Sequence, residues 1–165
     1  MSLEGPLLLT ADHVVDQFNS GTPPLDNWLR LRALNNQRGG ASRSWVVVDD
    51  TGRVVGFYAS ATSAILRSRA TSRAARNQPD ELPAILLARL AVDVDHQGRG
   101  LGAALLKHFI VKAIEVSELV GVRLVLVHAK GNESRAFYVH HGFEPSPIDE
   151  LTLLLLMADV RASDS

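Results

Sequence analysis

Three glycines stand close together in the run Gln97-Gly98-Arg99-Gly100-Leu101-Gly102. Residues 85–94, directly before this run, are nearly all apolar, as in a strand that is buried on both faces. Apolar residues recur at helical spacing after it. A glycine-rich turn between a strand and a helix lets the backbone approach a ligand, and the free N–H groups of the first helical turn attract an anion. The run therefore predicts a pyrophosphate site, against the alternative of a tight turn that binds nothing.

Two other nucleotide motifs fit this turn less well. A P-loop is excluded, because Leu101 and Gly102 follow Gly100 where that motif requires a lysine and a hydroxyl residue. A dinucleotide-binding turn is a weak match, since Ala103 replaces its last glycine and the next strand ends at His128 instead of an acidic residue. These residues alone do not exclude a dinucleotide-binding turn.

Other side chains that could do chemistry are few. The chain has no cysteine, which excludes a disulfide framework, a zinc–thiolate site and a cysteine nucleophile. His128 ends a predicted strand and is expected to be structural, and the adjacent His140 and His141 lack a further ligand at metal-binding spacing. We therefore predict no metal. Asp93 and Asp95 are candidate general bases or, equally, residues that cap the end of a strand.

Arginines are concentrated in the first half of the chain. Nine lie between Asn27 and Pro79, against two aspartates in the same stretch, although the net charge of the whole chain is -1. Four of them, Arg67, Arg69, Arg73 and Arg76, fall in a polar segment and are expected to be exposed together. The cluster indicates either a solvated surface or a site for a phosphate-rich partner.

The length and composition indicate how these residues are held. A chain of 165 residues with 46% hydrophobic and 21% charged residues is typical of one globular domain. No segment resembles a signal peptide or a membrane span, so we expect a cytoplasmic protein.

The pattern of apolar and turn-forming residues predicts a mixed α/β chain. Asp26 and Asn132 are expected to cap helices, and the turn Asp49-Asp50-Thr51-Gly52 is expected to join two antiparallel strands. Strands are predicted at residues 7–9, 44–48, 54–64, 85–94, 122–128 and 151–157, and helices at about 12–18, 26–38, from the glycine turn to about 120, and 132–140. A strand, a long helix and a further strand form a βαβ crossover with parallel strands.

Two motifs in this order resemble the GNAT family of acetyltransferases. The family pattern Gln/Arg-x-x-Gly-x-Gly/Ala is matched by Gln97, Gly100 and Gly102, and an aromatic helix end leads to Gly-Phe in Phe137-Tyr138-Val139-His140-His141-Gly142-Phe143. The resemblance implies an α+β GNAT fold over residues 1–165: a single domain whose mixed central sheet has a splayed strand pair and flanking helices. Acetyl-CoA would be the co-substrate.

Further segments resemble the GNAT-type toxins of bacterial toxin–antitoxin pairs. They include Leu25-Asp26-Asn27-Trp28-Leu29, Gly40-Ala41-Ser42-Arg43 and Ala88-Arg89-Leu90-Ala91-Val92-Asp93. This resemblance implies acetylation of the α-amino group of aminoacyl-tRNA, a block of translation and a ribbon-helix-helix antitoxin as partner, and it leaves a homodimer open. A different amine acceptor, or a binding module that holds coenzyme A or a nucleic acid without turnover, remains an alternative.

The resemblance also assigns roles to residues of this chain. Tyr138 stands at the family's general-acid position, and the arginines 67, 69, 73 and 76 suit a tRNA substrate. The backbone of Leu90, Ala91 and Val92 would pair with pantetheine, and the amides of Gln97, Gly98, Arg99, Gly100, Leu101, Gly102 and Ala103 would hold the pyrophosphate. One departure is Gly131, which replaces an asparagine that many family members place seven residues before the tyrosine.

Overall fold

The chain folds as a mixed seven-stranded sheet with helices, as expected for the predicted α+β class. The computed structural model describes residues 2–164. The strands are β1 (Glu4–Leu8), β2 (Arg43–Val48), β3 (Val54–Leu66), β4 (Glu81–Val92), β5 (Leu124–His128), β6 (Glu144–Ser146) and β7 (Asp149–Leu156). Their hydrogen-bonded order is β1-β2-β3-β4-β5-β7-β6.

Six α-helices accompany the strands over residues 2–164. They are α1 (Pro23–Leu31), α2 (Ala33–Arg38), α3 (Ser72–Ala75), α4 (Leu101–Ser117), α5 (Asn132–His140) and α6 (Met157–Asp164). Short 3-10 helices occupy Arg67–Arg69 and Val94–His96. None of the helices in the described part of the chain is both long enough and apolar enough to cross a membrane.

The contacts divide the chain into two compact units. The first contains the residues up to 61 together with 88–109, and the second contains 62–87 and the residues from 110 onwards. The core of the first unit includes Phe18, Trp28, Leu29, Phe57 and Ala91, and that of the second includes Leu82, Leu124, Leu126, Leu154 and Leu156.

A β-hairpin forms the middle of the first unit, as predicted. Strands β2 and β3 pair antiparallel with Trp45 opposite Tyr58. In the turn, Asp49 accepts hydrogen bonds from the backbone of Thr51 and Arg53. Because Asp and Gly suit such tight turns, the local sequence was sufficient to locate the hairpin.

The predicted parallel strand pair is confirmed in the second unit. Strands β4 and β5 pair in parallel from Ala84 opposite Leu124 to Leu87 opposite Val127, and β5 pairs antiparallel with β7 on its other side. A parallel pair requires a long connection, which α4 supplies.

The predicted helix at residues 12–18 is wrong. This segment forms turns, and Val14 makes an isolated parallel bridge with Arg53. The Val14 N–H donates to the Gly52 carbonyl, and the Val14 carbonyl accepts from the Val54 N–H. Tertiary pairing therefore uses the backbone groups that a helix would need.

Two predicted helix caps are also wrong by position. Asp26 lies in the first turn of α1, because Pro23 begins the helix three residues earlier. The buried carboxylate of Asp26 accepts hydrogen bonds from Ser20. Asn132 is the first residue of α5, while Gly131 takes the cap position without a side-chain hydrogen bond.

Two elements near the C-terminus were not predicted. The short strand β6 contains Pro145 and lies at the edge of the sheet, where proline is tolerated because one side of the strand has no partner. Helix α6 begins directly after β7 and is held by a hydrogen bond from the Met157 N–H to the Arg123 carbonyl. Strand β6 pairs locally with β7, whereas the contact of α6 with Arg123 is distant in sequence.

Candidate active site

The glycine turn lies between the end of β4 and the start of α4, as predicted. Gly98 and Gly100 have φ angles of 78° and 81°, a region that side chains disfavour. A Cβ atom at either position would have no heavy atom within 4 Å beyond its chain neighbours. The turn therefore needs glycine for its backbone shape and leaves open space in front of it.

The start of α4 presents free amides next to this space. The Ala104 N–H donates to the Gly100 carbonyl. The amides of Leu101, Gly102 and Ala103 precede that bond and so have no acceptor within the helix. Together with the positive end of a 17-residue helix, they suit an anion such as a diphosphate.

The side chain of Gln97 holds the turn in place. Its amide nitrogen donates to the carbonyl oxygens of Ser20, at 3.0 Å, and Val92, at 2.9 Å. The side-chain amide nitrogen of Gln97 is thus bonded within the first unit. A ligand would therefore meet the backbone N–H of Gln97. Arg99 is exposed in the same turn.

Asp93 stabilises the segment that leads into the turn. Its fully buried carboxylate lies 3.2 Å from the Arg53 guanidinium and accepts hydrogen bonds from the backbone of Asn19 and Asp95. It caps the 3-10 helix that leads into the turn. The predicted capping role of Asp93 is therefore confirmed, while Asp95 is exposed.

Strand β4 offers backbone next to the turn. The ladder with β5 ends at Leu87, before Leu90, Ala91 and Val92. Ala91 is buried among the core residues of the first unit, and Leu90 and Val92 are half-buried. The backbone of these three residues is therefore not used by the β4–β5 ladder.

Arg89 is a feature of β4 that sequence reasoning missed. Its guanidinium carbon lies 4.2 Å from the centre of the Trp28 ring. Burial lowers the pKa of this half-buried side chain. An arginine in an otherwise apolar strand was the signal that could have identified it.

Tyr138 belongs to the second unit, in the last turns of α5. It is 4% exposed, and its ring makes edge contacts with Phe137 and Phe143 at centroid distances of 5.1 and 5.5 Å. Burial raises the pKa of Tyr138, so the phenol stays protonated around neutral pH and can act as a proton donor.

The histidines give no indication of a metal site. The imidazole of His128 lies 3.1 Å from the Thr152 hydroxyl, in the structural role expected for it. The rings of His140 and His141 contact each other at 5.1 Å. Among the described side chains, those of residues 2–162, no group of three or more potential metal ligands comes together.

The four arginines of the cluster are all exposed, as predicted, but they differ in their partners. Arg73 forms two hydrogen bonds of 2.6 Å with Asp159, whose pKa is lowered by them, and Arg69 lies 3.6 Å from Asp149. Arg67 donates to a backbone carbonyl, and no ion pair is formed by Arg67 or Arg76 within the described residues. Arg67 and Arg76 therefore keep their charge available.

Comparison with known proteins gives matches along most of the chain. A family model described as an acetyltransferase (GNAT) domain matches residues 40–145. A tRNA-acetylating toxin of Mycobacterium tuberculosis is 52% identical over 148 residues, which cover 90% of this chain and 89% of the relative.

Solved structures share the fold. AtaT complexed with acetyl-methionyl-tRNAfMet superimposes with a TM-score of 0.89 at 24% identity over 99% of both chains. An AtaT mutant toxin bound to the C-terminus of the antitoxin AtaR and acetyl-CoA has a TM-score of 0.83 at 24% identity, covering 99% of this chain and 98% of the other.

Proposed function

The chain belongs to the GNAT family of acetyltransferases, and we propose that it transfers the acetyl group of acetyl-CoA to the α-amino group of aminoacyl-tRNA and so blocks translation. The observation that carries the choice of acceptor is the 52% identity, over nine-tenths of the chain, to a tRNA-acetylating toxin. An acetylated α-amino group can no longer act as the nucleophile in peptide bond formation.

The glycine turn and β4 are proposed to bind acetyl-CoA. The amides of residues 97–103 would hold the diphosphate, which fits the free first-turn amides and the open space at Gly98 and Gly100. The backbone of Leu90, Ala91 and Val92 would pair with pantetheine through N–H and C=O groups that are not bonded in the β4–β5 ladder.

The proposed chemistry needs little help from the protein. The neutral α-amino nitrogen forms a bond to the thioester carbonyl carbon, the carbon–sulfur bond breaks, and the nitrogen gives its extra proton to water. The pKa of an α-amino group is about 8, against about 10.4 for lysine, so a strong general base is not required. Tyr138 is proposed to protonate the leaving thiolate, since its buried phenol is neutral and able to donate.

The pH dependence of the rate follows from these two groups. We expect kcat/KM for an aminoacyl acceptor to rise about tenfold per pH unit up to a midpoint at about pH 8 and then to level off. Because burial raises the pKa of Tyr138, its ionisation should cause no fall in rate up to about pH 10. Initial rates with freshly charged tRNA test this, and a descending limb below pH 10 would show that the group donating the proton does not have the raised pKa of the buried Tyr138.

The arginine cluster is proposed to contact tRNA phosphates, with unequal shares. We expect the Arg67→Ala, Arg76→Ala double variant to bind tRNA more weakly. The slope of log K against log salt concentration, which is negative, should become less steep by about 2. A matched double variant, Arg69→Ala with Arg73→Ala, should change the slope less, because these side chains already contact carboxylates.

Filter binding of tRNA at several salt concentrations measures both slopes, and acetyl-CoA affinity should stay unchanged in all variants. A quadruple variant combines all four changes, and parental tRNA binding by it at every salt concentration would show that the cluster is only a solvated surface.

The partners of the protein are part of the same proposal. We propose that it acts in the cytoplasm as one GNAT domain over residues 1–165, is neutralised by a ribbon-helix-helix antitoxin, and forms a homodimer. Expression without the antitoxin should arrest growth and accumulate N-acetylated aminoacyl-tRNA, while co-expression of the neighbouring antitoxin reading frame should restore growth. Growth arrest without acetylated tRNA would contradict the proposed acceptor.

A further inference from the structure

Arg89 is a half-buried cation without an anionic partner. Among the side chains of residues 2–162, no carboxylate lies within 4.0 Å of its guanidinium, and burial alone accounts for its lowered pKa. Arg53, in the same unit, is paired with Asp93, and Arg30 donates to the Phe18 carbonyl and to Asn27. Placing a charge in such surroundings without compensation is unfavourable, and a ligand that supplies the opposite charge would remove the penalty.

The guanidinium of Arg89 is held in a fixed place. It lies over Trp28, which is 9% exposed and stacks on Phe57 with a centroid distance of 6.1 Å and an interplanar angle of 10°. Phe57 in turn makes an edge contact with Phe18 at 5.5 Å. Arginine stacked on an aromatic ring loses little further freedom when its planar donors bind an anion.

The position of Arg89 along β4 relates it to the proposed cofactor, and the inference rests on the proposed function. If the diphosphate lies at the turn after Val92, pantetheine runs back along Val92, Ala91 and Leu90, and its thioester end points towards Arg89. Side chains alternate along a strand, so Arg89 shares a face with Ala91, which packs in the same core cluster as Trp28. Arg89 thus stands near the acetyl end of the cofactor.

The acceptor determines which anion can reach this place. In an aminoacyl-tRNA the carboxyl group of the amino acid is esterified and carries no charge. Unless the amino acid has an acidic side chain, the nearest negative charge to the α-amino group is then the phosphodiester that links the last two nucleotides. A guanidinium can bind two phosphate oxygens with parallel hydrogen bonds.

We propose that Arg89, held on Trp28, binds the terminal phosphodiester of the aminoacyl acceptor and thereby places the α-amino group at the thioester. Arg89 is a residue that determines substrate specificity. It distinguishes a nucleotide-linked amino acid from a polyamine or a lysine side chain by a phosphodiester that only the former carries.

The test combines one protein change with one substrate change. Aminoacyl-tRNA is prepared with its last internucleotide linkage either natural or replaced by a neutral methylphosphonate. For the parent protein we expect kcat/KM to fall roughly tenfold to a hundredfold on this replacement, as for loss of a hydrogen bond to a charged group. For Arg89→Gln we expect a similar loss with the natural substrate and less than about a threefold further loss with the neutral one.

Several controls keep the outcome clear. Arg89→Gln should bind acetyl-CoA with parental affinity, and Arg38→Gln, at the exposed end of α2, should keep the parental response to the methylphosphonate. If Arg89→Gln does not fold, Arg89→Lys replaces it, and we expect an intermediate sensitivity because the charge remains without the planar donors.

Two results would overturn the proposal: independent losses from the two changes, or a parent that is indifferent to the methylphosphonate. Failure of the proposed function is distinguishable, because the parent would then leave even the natural charged tRNA unacetylated.

Discussion

A Tyr138→Phe variant is expected to bind acetyl-CoA with parental affinity and to acetylate charged tRNA about a hundredfold to ten-thousandfold more slowly. The substitution keeps the ring, and therefore the edge contacts with Phe137 and Phe143, but removes the hydroxyl. Only the proton for the leaving thiolate is lost, so kcat should fall while KM for acetyl-CoA changes little. Calorimetry and single-turnover rates separate these two effects.

Tyr58 offers a matched control, because it is the other tyrosine of the chain. It is fully buried, and its hydroxyl lies 2.7 Å from the His108 imidazole. Tyr58→Phe should lower the free energy of unfolding by about 1 kcal/mol without reducing the rate by more than a few fold. A stable Tyr138→Phe protein with a near-parental rate would leave water or another side chain as the acid.

Gly100→Glu is expected to weaken acetyl-CoA binding by roughly tenfold to a thousandfold. The new carboxylate would enter the space before the α4 amides and repel a diphosphate by about 1 to 4 kcal/mol, depending on the local dielectric. Gly40→Glu is the control, because Gly40 has the same φ of 81° and no heavy atom within 4 Å of its Cβ position. Both variants therefore carry a similar backbone penalty.

Calorimetric titration with acetyl-CoA distinguishes the two glycines. The Gly40 variant should bind as the parent does, and thermal unfolding should show comparable losses of stability in both variants. If a folded Gly100→Glu protein bound acetyl-CoA with parental affinity, the glycine turn would not be the diphosphate site.

Local signals predicted the parts of the structure that local chemistry determines. The hairpin turn at residues 49–52, the strand-turn-helix around Gly98 and Gly100, and helix α5 all follow from residue types within a short window. The helix predicted at 12–18 failed because Val14 pairs with the hairpin, and the cap at Asp26 failed because Pro23 begins α1 earlier. The first outcome was decided by a contact distant in sequence, and the second by a local signal, Pro23, that favours an earlier helix start.

The candidate site shows the same division. The motifs predicted the glycine turn and Tyr138 as site residues, and that assignment stays a prediction, whereas the contacts that support these residues were not predicted. Nothing within a few residues of Gln97 indicates that its side chain bonds to Ser20, and nothing near Arg89 indicates Trp28, since these partners lie more than 60 positions away. The partners of Arg69 and Arg73, Asp149 and Asp159, likewise come from the other end of the chain.

The proposed acceptor of this GNAT enzyme is the α-amino group of aminoacyl-tRNA. The most direct test incubates the purified protein with labelled acetyl-CoA and a mixture of total charged tRNA, a lysine-containing peptide and a polyamine. We expect label only in the charged tRNA, none after prior deacylation of that tRNA, and N-acetyl amino acids on mild alkaline release. Label in the peptide or the polyamine, with charged tRNA left untouched, would contradict the proposed acceptor.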